Sequence, residues 1–118
     1  MPAKRTAHTP LRLAKLCRDI ALDKKAEDVV ILDLRKISSL TDFFVICSGT
    51  SDPHLKAIAN EILNKLKELG LHRKHYAGTP ASRWLVLDYA DVLVHIFHPK
   101  SREFYALEDL WKDAKRIK

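Results

Sequence analysis

The segment TDFFVICSGTSDPHLKAIANE, Thr41 to Glu61, predicts a strand that enters a helix through a short polar turn. The run Phe43 to Cys47 is apolar at every position, which is typical of a strand buried on both faces. The turn Ser48 to Ser51 follows; we expect Asp52 to cap the helix and Pro53 to occupy its first position. A strand, turn and helix in this order form the core of an α/β domain, and such turns are frequent ligand sites.

The composition indicates one basic domain. The chain has 118 residues, enough for a core that needs no disulfide, and Cys17 and Cys47 lie in apolar patterns that predict reduced core residues. No stretch approaches the roughly 20 apolar residues of a membrane span, and the N-terminus lacks a secretory signal. We therefore expect a cytoplasmic protein, with an organellar setting left open. The net charge of +6 favours a polyanionic partner, although the basic residues form no dense run.

Hydrophobic periodicity predicts the remaining elements. A flexible basic tail, Met1 to Pro10, precedes a single domain from Leu11 to Lys118. The predicted helices are Leu11–Lys25, Pro53–Leu69 and a last one capped by Ser101, and the predicted strands are Val29–Leu34, Phe43–Cys47, His72–Tyr76, Trp84–Asp88 and Val92–Phe97. The apolar face of the last helix is formed by Phe104, Leu107, Leu110, Trp111 and Ala114.

These elements predict the fold class α/β, with a mixed sheet of about five strands and three main helices. The short connection between the last two strands predicts an antiparallel hairpin. Three helices cover one face of such a sheet and part of the other. Because most of the strands are apolar on both faces, we expect the uncovered part of the sheet to be a protein interface.

No motif for catalysis or metal binding is recognisable. The turn Ser48 to Ser51 lacks the GxxxxGK[ST] and GxGxxG patterns of phosphate-binding loops, and no Asp-x-Asp pair occurs to hold a divalent metal. His72 and His75 are three residues apart, as are His95 and His98, so on a strand the members of each pair point to opposite faces. We predict a protein that is not an enzyme and uses no cofactor or metal, with a nucleotide-binding enzyme at the central turn as the alternative.

Four stretches closely resemble the iojap-like ribosomal silencing factors. They are SLTDFFVICSGTSD, KAIANEI, WLVLDYADVLVHIFHP and REFYALEDLWKDA, in the family's order and spacing over roughly residues 11 to 115. The resemblance implies a nucleotidyltransferase-like fold without catalytic carboxylates. It also implies binding to the large ribosomal subunit at ribosomal protein fourteen of that subunit. A protein bound there blocks joining of the small subunit and lowers translation under nutrient limitation. A role in large-subunit assembly is an alternative.

The positions that match the family's pattern imply contact residues, with Trp84 and Leu85 as apolar anchors. The other implied contacts are Asp88, His95 and Arg102, which are polar or charged, and the neighbouring Phe97, Tyr105 and Glu108. The chain departs from the family where Ala90 replaces the usual glycine of the hairpin. A homodimer, a peripheral contact with ribosomal RNA and a general RNA-binding module are left open by the sequence.

Overall fold

The structure, a computed structural model, describes residues 9–118 apart from the side chain of Pro80. Its helices are α1 (Pro10–Asp23), α2 (Asp52–Glu68), α3 (Pro99–Tyr105) and α4 (Leu107–Leu110), with a 3₁₀ turn at Pro80–Ser82. Its strands are β1 (Glu27–Asp33), β2 (Phe43–Ser48), β3 (His75–Ala77), β4 (Trp84–Asp88), β5 (Val92–Phe97) and β6 (Lys115–Ile117). The predicted tail lies outside the described residues except for Thr9, which caps α1, and Pro10, which begins it.

Within residues 9–118 the strands form one mixed sheet in the order β3-β4-β5-β2-β1-β6. Strands β2 and β5 are parallel, and the other neighbours are antiparallel, including the predicted β4–β5 hairpin. The α/β class and the mixed sheet are confirmed. The sheet has one strand more than predicted, because Lys115–Ile117 pairs with β1. This strand is three residues long and basic, so it shows no apolar alternation.

The first face of the sheet carries α1 and α2. All six residues of β2 are buried, as the unbroken apolar run predicted. The side chains that α1 and α2 bury in the larger core cluster are Leu13, Ala14, Cys17, Ile20, Ala21, Leu55, Ile58, Ala59, Ile62 and Leu66. Burial of these side chains is the main favourable contribution to folding on this side of the sheet.

The second face is covered only in part, by the C-terminal segment from α3 to β6. The buried side chains of this smaller cluster are Leu32, Leu34, Phe44, Ile46 and Phe97. Leu107, Trp111 and Ala114 pack against them from the C-terminal segment. This uneven distribution of helices agrees with the expectation that some sheet surface stays uncovered.

Both predicted helix caps are wrong. The cap of α2 is Ser51, whose hydroxyl accepts a hydrogen bond from the His54 N–H at 3.2 Å, and Asp52 already lies in the first turn. There its carboxylate suits the positive end of the helix dipole. The cap of α3 is His98 rather than Ser101, because the His98 Nδ1 accepts from the Lys100 N–H at 3.3 Å.

The last predicted helix is broken in two. Ala106 adopts a left-handed conformation with φ of 48°, which ends α3 and starts α4. The break changes the rotational phase of the apolar stripe, so the prediction of one helix with a single apolar face is wrong. Phe104 and Leu110 are 81% and 72% exposed.

Candidate partner-binding surface

The second face of the sheet is open over β4 and the adjoining part of β5. Trp84, Val86 and Asp88 alternate with buried residues along β4, and all three are partly exposed. Leu93 of β5 pairs with Asp88 and is also partly exposed. We call Trp84, Val86, Asp88 and Leu93 the open sheet face. It combines two aliphatic side chains, an indole ring and a carboxylate.

Aromatic rings form one border of the open sheet face. The Trp84 ring stacks on Phe97 at a centroid distance of 5.0 Å and lies 4.5 Å from the Tyr105 ring. Phe104 meets Tyr105 edge-on at 5.1 Å. Tyr105 and Phe104 are 47% and 81% exposed, so this border presents a large aromatic area to solvent. Exposed aromatic groups of this kind are enriched at protein interfaces.

His95 supports Trp84 from beneath. The Trp84 Nε1–H donates to the His95 Nδ1 at 3.2 Å, which places the imidazole proton on Nε2. That Nε2 has no hydrogen-bond partner among the described residues. His95 is 6% exposed, and burial lowers its pKa to about 4, so the ring is neutral at pH 7. The structure therefore places His95 under the indole, where it fixes the orientation of Trp84.

Arg102 and Glu108 attach the C-terminal segment to the sheet. The Arg102 Nε donates to a Glu108 oxygen at 2.8 Å, and its Nη1 donates to the Ser48 hydroxyl at 2.9 Å. Arg116 lies 3.4 Å from the other Glu108 oxygen. The hydrogen bond from Arg102 holds the pKa of Glu108 below its usual value. Both side chains are thus engaged within the chain, and they position Tyr105 next to Trp84.

The position of Leu85 contradicts the expectation that this residue is an apolar anchor on the surface. Its side chain has no exposed area and belongs to the core beneath α1 and α2. Successive residues of a strand point to opposite faces, so Trp84 and Leu85 cannot both be surface anchors. Phe97 is also fully buried, beneath Trp84. Of the expected contact residues, Tyr105 is the most accessible, and the partly exposed ones are Trp84, Asp88, Arg102 and Glu108.

Sequence reasoning missed three residues of this surface: Val86, Leu93 and Phe104. The period-two alternation of β4 contained the signal for Val86, because that residue lies two positions from both Trp84 and Asp88. Leu93 needed the hairpin register, which pairs it with Asp88. Phe104 was assigned to the apolar face of a single last helix, whereas the structure leaves it 81% exposed on α3.

Carboxylates lie at the end of the open sheet face opposite the aromatic border. A shallow depression of about 360 Å³ is lined there by Asp42, Asp88 and Asp91, with Lys74 beside them. The Asp88 side chain accepts a hydrogen bond from the Ala90 N–H at 2.7 Å. Leu40 lines the same depression and is 72% exposed. This acidic end contrasts with the net charge of +6 for the whole chain.

The central turn uses its polar groups internally. The Gly49 N–H donates to the Phe97 carbonyl oxygen at 2.8 Å, and the Thr50 N–H donates to the His54 Nδ1 at 2.9 Å. The Ser48 hydroxyl oxygen accepts a hydrogen bond from Arg102. The two backbone N–H groups are therefore not available to cradle a phosphate, which argues against a nucleotide site at Ser48–Ser51.

Residues 9–118 contain no group of three His, Cys, Asp or Glu side chains arranged to hold a metal ion. Cys17 and Cys47 are free and buried, and burial raises the pKa of each thiol to about 12. In the same part of the chain, no helix combines the length and apolarity needed to cross a membrane.

Comparison with known proteins gives the family. Residues 6–118 match the model of the family described as ribosomal silencing factor during starvation. The chain belongs to the ribosomal silencing factors. A ribosomal silencing factor of Bacillus subtilis is 46% identical over 92 residues, which is 78% of each chain. Such relatives are named as silencing factors and not as enzymes, and the chain is a non-enzymatic regulatory protein.

Two further similarities, one to a solved structure and one to a mouse protein, agree with this family assignment. The crystal structure of a Chromobacterium violaceum protein superposes with a TM-score of 0.84 at 33% identity and covers 88% of this chain and 87% of that one. A mouse protein named mitochondrial assembly of ribosomal large subunit protein 1 is 34% identical over 91 residues, which is 75% of this chain and 40% of the mouse protein. The family resemblance found in the four sequence stretches is confirmed.

Proposed function

We propose that the chain binds the large ribosomal subunit at ribosomal protein fourteen and blocks joining of the small subunit. Translation is then silenced under nutrient limitation, in the cytoplasm of a bacterium. The observation that carries this proposal is the open sheet face with its aromatic border. It is a partly apolar surface on an otherwise charged protein, and it lies at the positions that match the family's pattern.

The arrangement of Trp84 and Tyr105 supports a protein partner. The two rings pack together at 4.5 Å, and the hydrogen bond to His95 holds the indole in place. Rings that are ordered before binding lose little conformational entropy in the complex. Trp and Tyr are also the residues whose truncation most often weakens an interface, by about 2 kcal/mol or more.

Charge favours a partner with a basic patch beside an apolar one. The carboxylates Asp42, Asp88 and Asp91 lie at one end of the open sheet face, and they complement cationic side chains. Such pairs at the rim of an interface accelerate association more than they tighten it. The salt dependence of the association rate is therefore a useful secondary measurement.

Steric exclusion is sufficient as the mechanism. The molecule measures 41 × 31 × 23 Å along its principal axes. Two ribosomal subunits join through direct contacts between atoms a few ångströms apart. A body of this thickness on the joining surface keeps the local surfaces apart without any chemical step.

Calorimetric titration against isolated ribosomal protein fourteen tests the proposal. Val86→Asp introduces a charge into the open sheet face, and Tyr105→Ala removes part of its border. We expect each to weaken binding by about tenfold or more, since central aromatic and apolar contacts dominate interface energies. Leu22→Asp is the matched control, because Leu22 is 50% exposed on α1 at the opposite side of the sheet. Equal affinities for all four proteins would contradict this binding site.

Assembly of the large subunit is a second candidate function, favoured by the name of the mouse relative. The two functions differ in which particle is bound. A silencing factor binds mature large subunits, whereas an assembly factor prefers incomplete ones. Binding measured side by side on mature subunits and on precursor particles from a strain lacking the protein separates them.

A further inference from the structure

A polar cleft of about 510 Å³ lies on the helix side of the molecule. It runs between the second half of α2 and the segment that leads into β3, and Tyr89 of the β4–β5 turn lines it. Leu63 and Leu71 at the cleft pack against the core cluster beneath α1 and α2. The cleft therefore lies on the side of the sheet that carries α1 and α2, opposite the open sheet face.

Donors of hydrogen bonds and positive charge dominate the lining. Lys67, His72 and Arg73 contribute cations or ring N–H groups, and Asn60 and Asn64 contribute side-chain amides. No acidic residue lines the cleft among the residues that the structure describes. Within the same described part of the chain, neither Lys67 nor Arg73 forms an ion pair. Both charges are therefore available to an anion.

Tyr89 has a buried hydroxyl that makes no hydrogen bond to any described residue. The residue is only 8% exposed, and leaving such a group unpaired costs about 1–3 kcal/mol. Burial raises the pKa of Tyr89 to about 12, so the hydroxyl keeps its proton and can donate. The hydroxyl itself has almost no exposed area, so it is not a direct contact for a ligand in the cleft.

The extent of the polar surface indicates a polyanion and not a single ion. Lys56, Asn60, Asn64 and Lys67 are exposed along α2 at spacings of four, four and three residues, which places them on one face of the helix, between the exposed carboxylates Asp52 and Glu68 at its two ends. This row is about 16 Å long at 1.5 Å per residue. Successive phosphates of a nucleic acid strand follow one another at a few ångströms, so several fit along it.

We propose that this cleft and the adjoining face of α2 bind the phosphate backbone of RNA. The proposal goes beyond the protein contact made by the open sheet face and adds a second, sequence-independent contact on the other side of the sheet. Arg73 suits this role because its guanidinium lies 5.4 Å from the Tyr76 ring centre, and contact through the flat face leaves the N–H groups at its edge free to donate.

Fluorescence anisotropy with a labelled single-stranded RNA of about 20 nucleotides tests the proposal over a range of salt concentrations. We expect a Kd on the order of 10 to 100 μM at about 50 mM salt, as for non-specific contacts. Lys67→Gln/Arg73→Gln should weaken binding at least tenfold and reduce the slope of log K against log salt by about 1.4, at about 0.7 per phosphate contact.

Lys36→Gln/Lys100→Gln is the charge-matched control, because both lysines are exposed and lie outside the cleft. Equal loss of binding in the control would overturn the proposal, since a general charge effect would then explain the affinity. Loss of large-subunit binding in Lys67→Gln/Arg73→Gln with unchanged RNA binding would assign the cleft to a protein and would also overturn it. Val86→Asp should bind the RNA as wild type does, which separates this test from that of the open sheet face.

Discussion

Replacement of Arg102 by methionine tests how the C-terminal segment is attached. The Arg102 and Glu108 side chains are 12% and 24% exposed, so their ion pair is neither fully buried nor fully exposed. Breaking a fully buried pair costs about 3–5 kcal/mol, and a fully exposed pair contributes about 0–1. We therefore expect Arg102→Met to lower the free energy of unfolding by about 2 kcal/mol. The Ser48 hydroxyl loses its donor in the same variant.

Urea and thermal unfolding measure this effect. A loss of about 2 kcal/mol corresponds to a fall in Tm of about 8 °C for a domain of this size. A double-mutant cycle with Glu108→Gln should give a coupling energy of about 1–2 kcal/mol. Lys100→Met is the control on the same helix, because Lys100 is exposed, and it should stay within about 0.5 kcal/mol of wild type.

The loss of stability in Arg102→Met should depend on pH in a defined direction. Arg102 lowers the pKa of Glu108 in the folded state, so the stability from this pair is present above the ordinary value of 4.5 and is lost as pH falls through the folded pKa. The difference between wild type and variant should shrink as the solution is acidified below that value. A variant indistinguishable from the Lys100→Met control at neutral pH would refute the attachment role.

Three further predictions concern stability. His95 has a pKa lowered to about 4 from 6.5, so folding favours its neutral form. The free energy of unfolding of wild type should therefore fall by about 2–3 kcal/mol between pH 7.5 and 4.5. In urea titrations His95→Gln should largely remove this fall. Gly78 has φ of 88°, and a Cβ at this position would collide with the Trp84 carbonyl oxygen. Gly78→Ala should therefore lower the free energy of unfolding in urea by about 3 kcal/mol or more. Gly70→Ala is the control: at φ of 80° in open space, it should lower this free energy by about 1 kcal/mol. Ala90 has φ of 69°, so Ala90→Gly should raise the free energy of unfolding by about 0.5–1 kcal/mol, and no gain would show that the turn is unstrained.

The elements with long apolar patterns were predictable from the sequence. The unbroken run in β2 indicated a strand buried on both faces, and the stripes of α1 and α2 indicated which helix sides pack on the sheet. The uncovered sheet surface was predictable for the same reason, since the predicted helices were too few to cover both apolar faces.

The C-terminal segment was not predictable in detail. Its apolar residues fit one continuous helix, and nothing in the local pattern signals that Ala106 adopts a positive φ. The short strand β6 depends on pairing with β1, which is distant in sequence. Both features follow from tertiary contacts, which override weak local preferences.

The candidate surface was predictable only in part. The family pattern indicated Trp84 and Asp88, but pattern matching does not separate a residue that contacts a partner from one that supports it. The structure assigns Leu85 to the core and His95 to the support of Trp84. Strand alternation alone would have excluded Leu85 once Trp84 was taken as exposed.

Co-sedimentation with purified ribosomal subunits tests the central claim most directly. Wild type and Val86→Asp/Tyr105→Ala are incubated separately with large and small subunits, and the joined ribosomes that form on mixing are measured. We expect wild type to sediment with the large subunit alone and to reduce joining, and the folded double variant to do neither. Sedimentation of wild type with the small subunit only, or undiminished joining with wild type bound, would contradict the account.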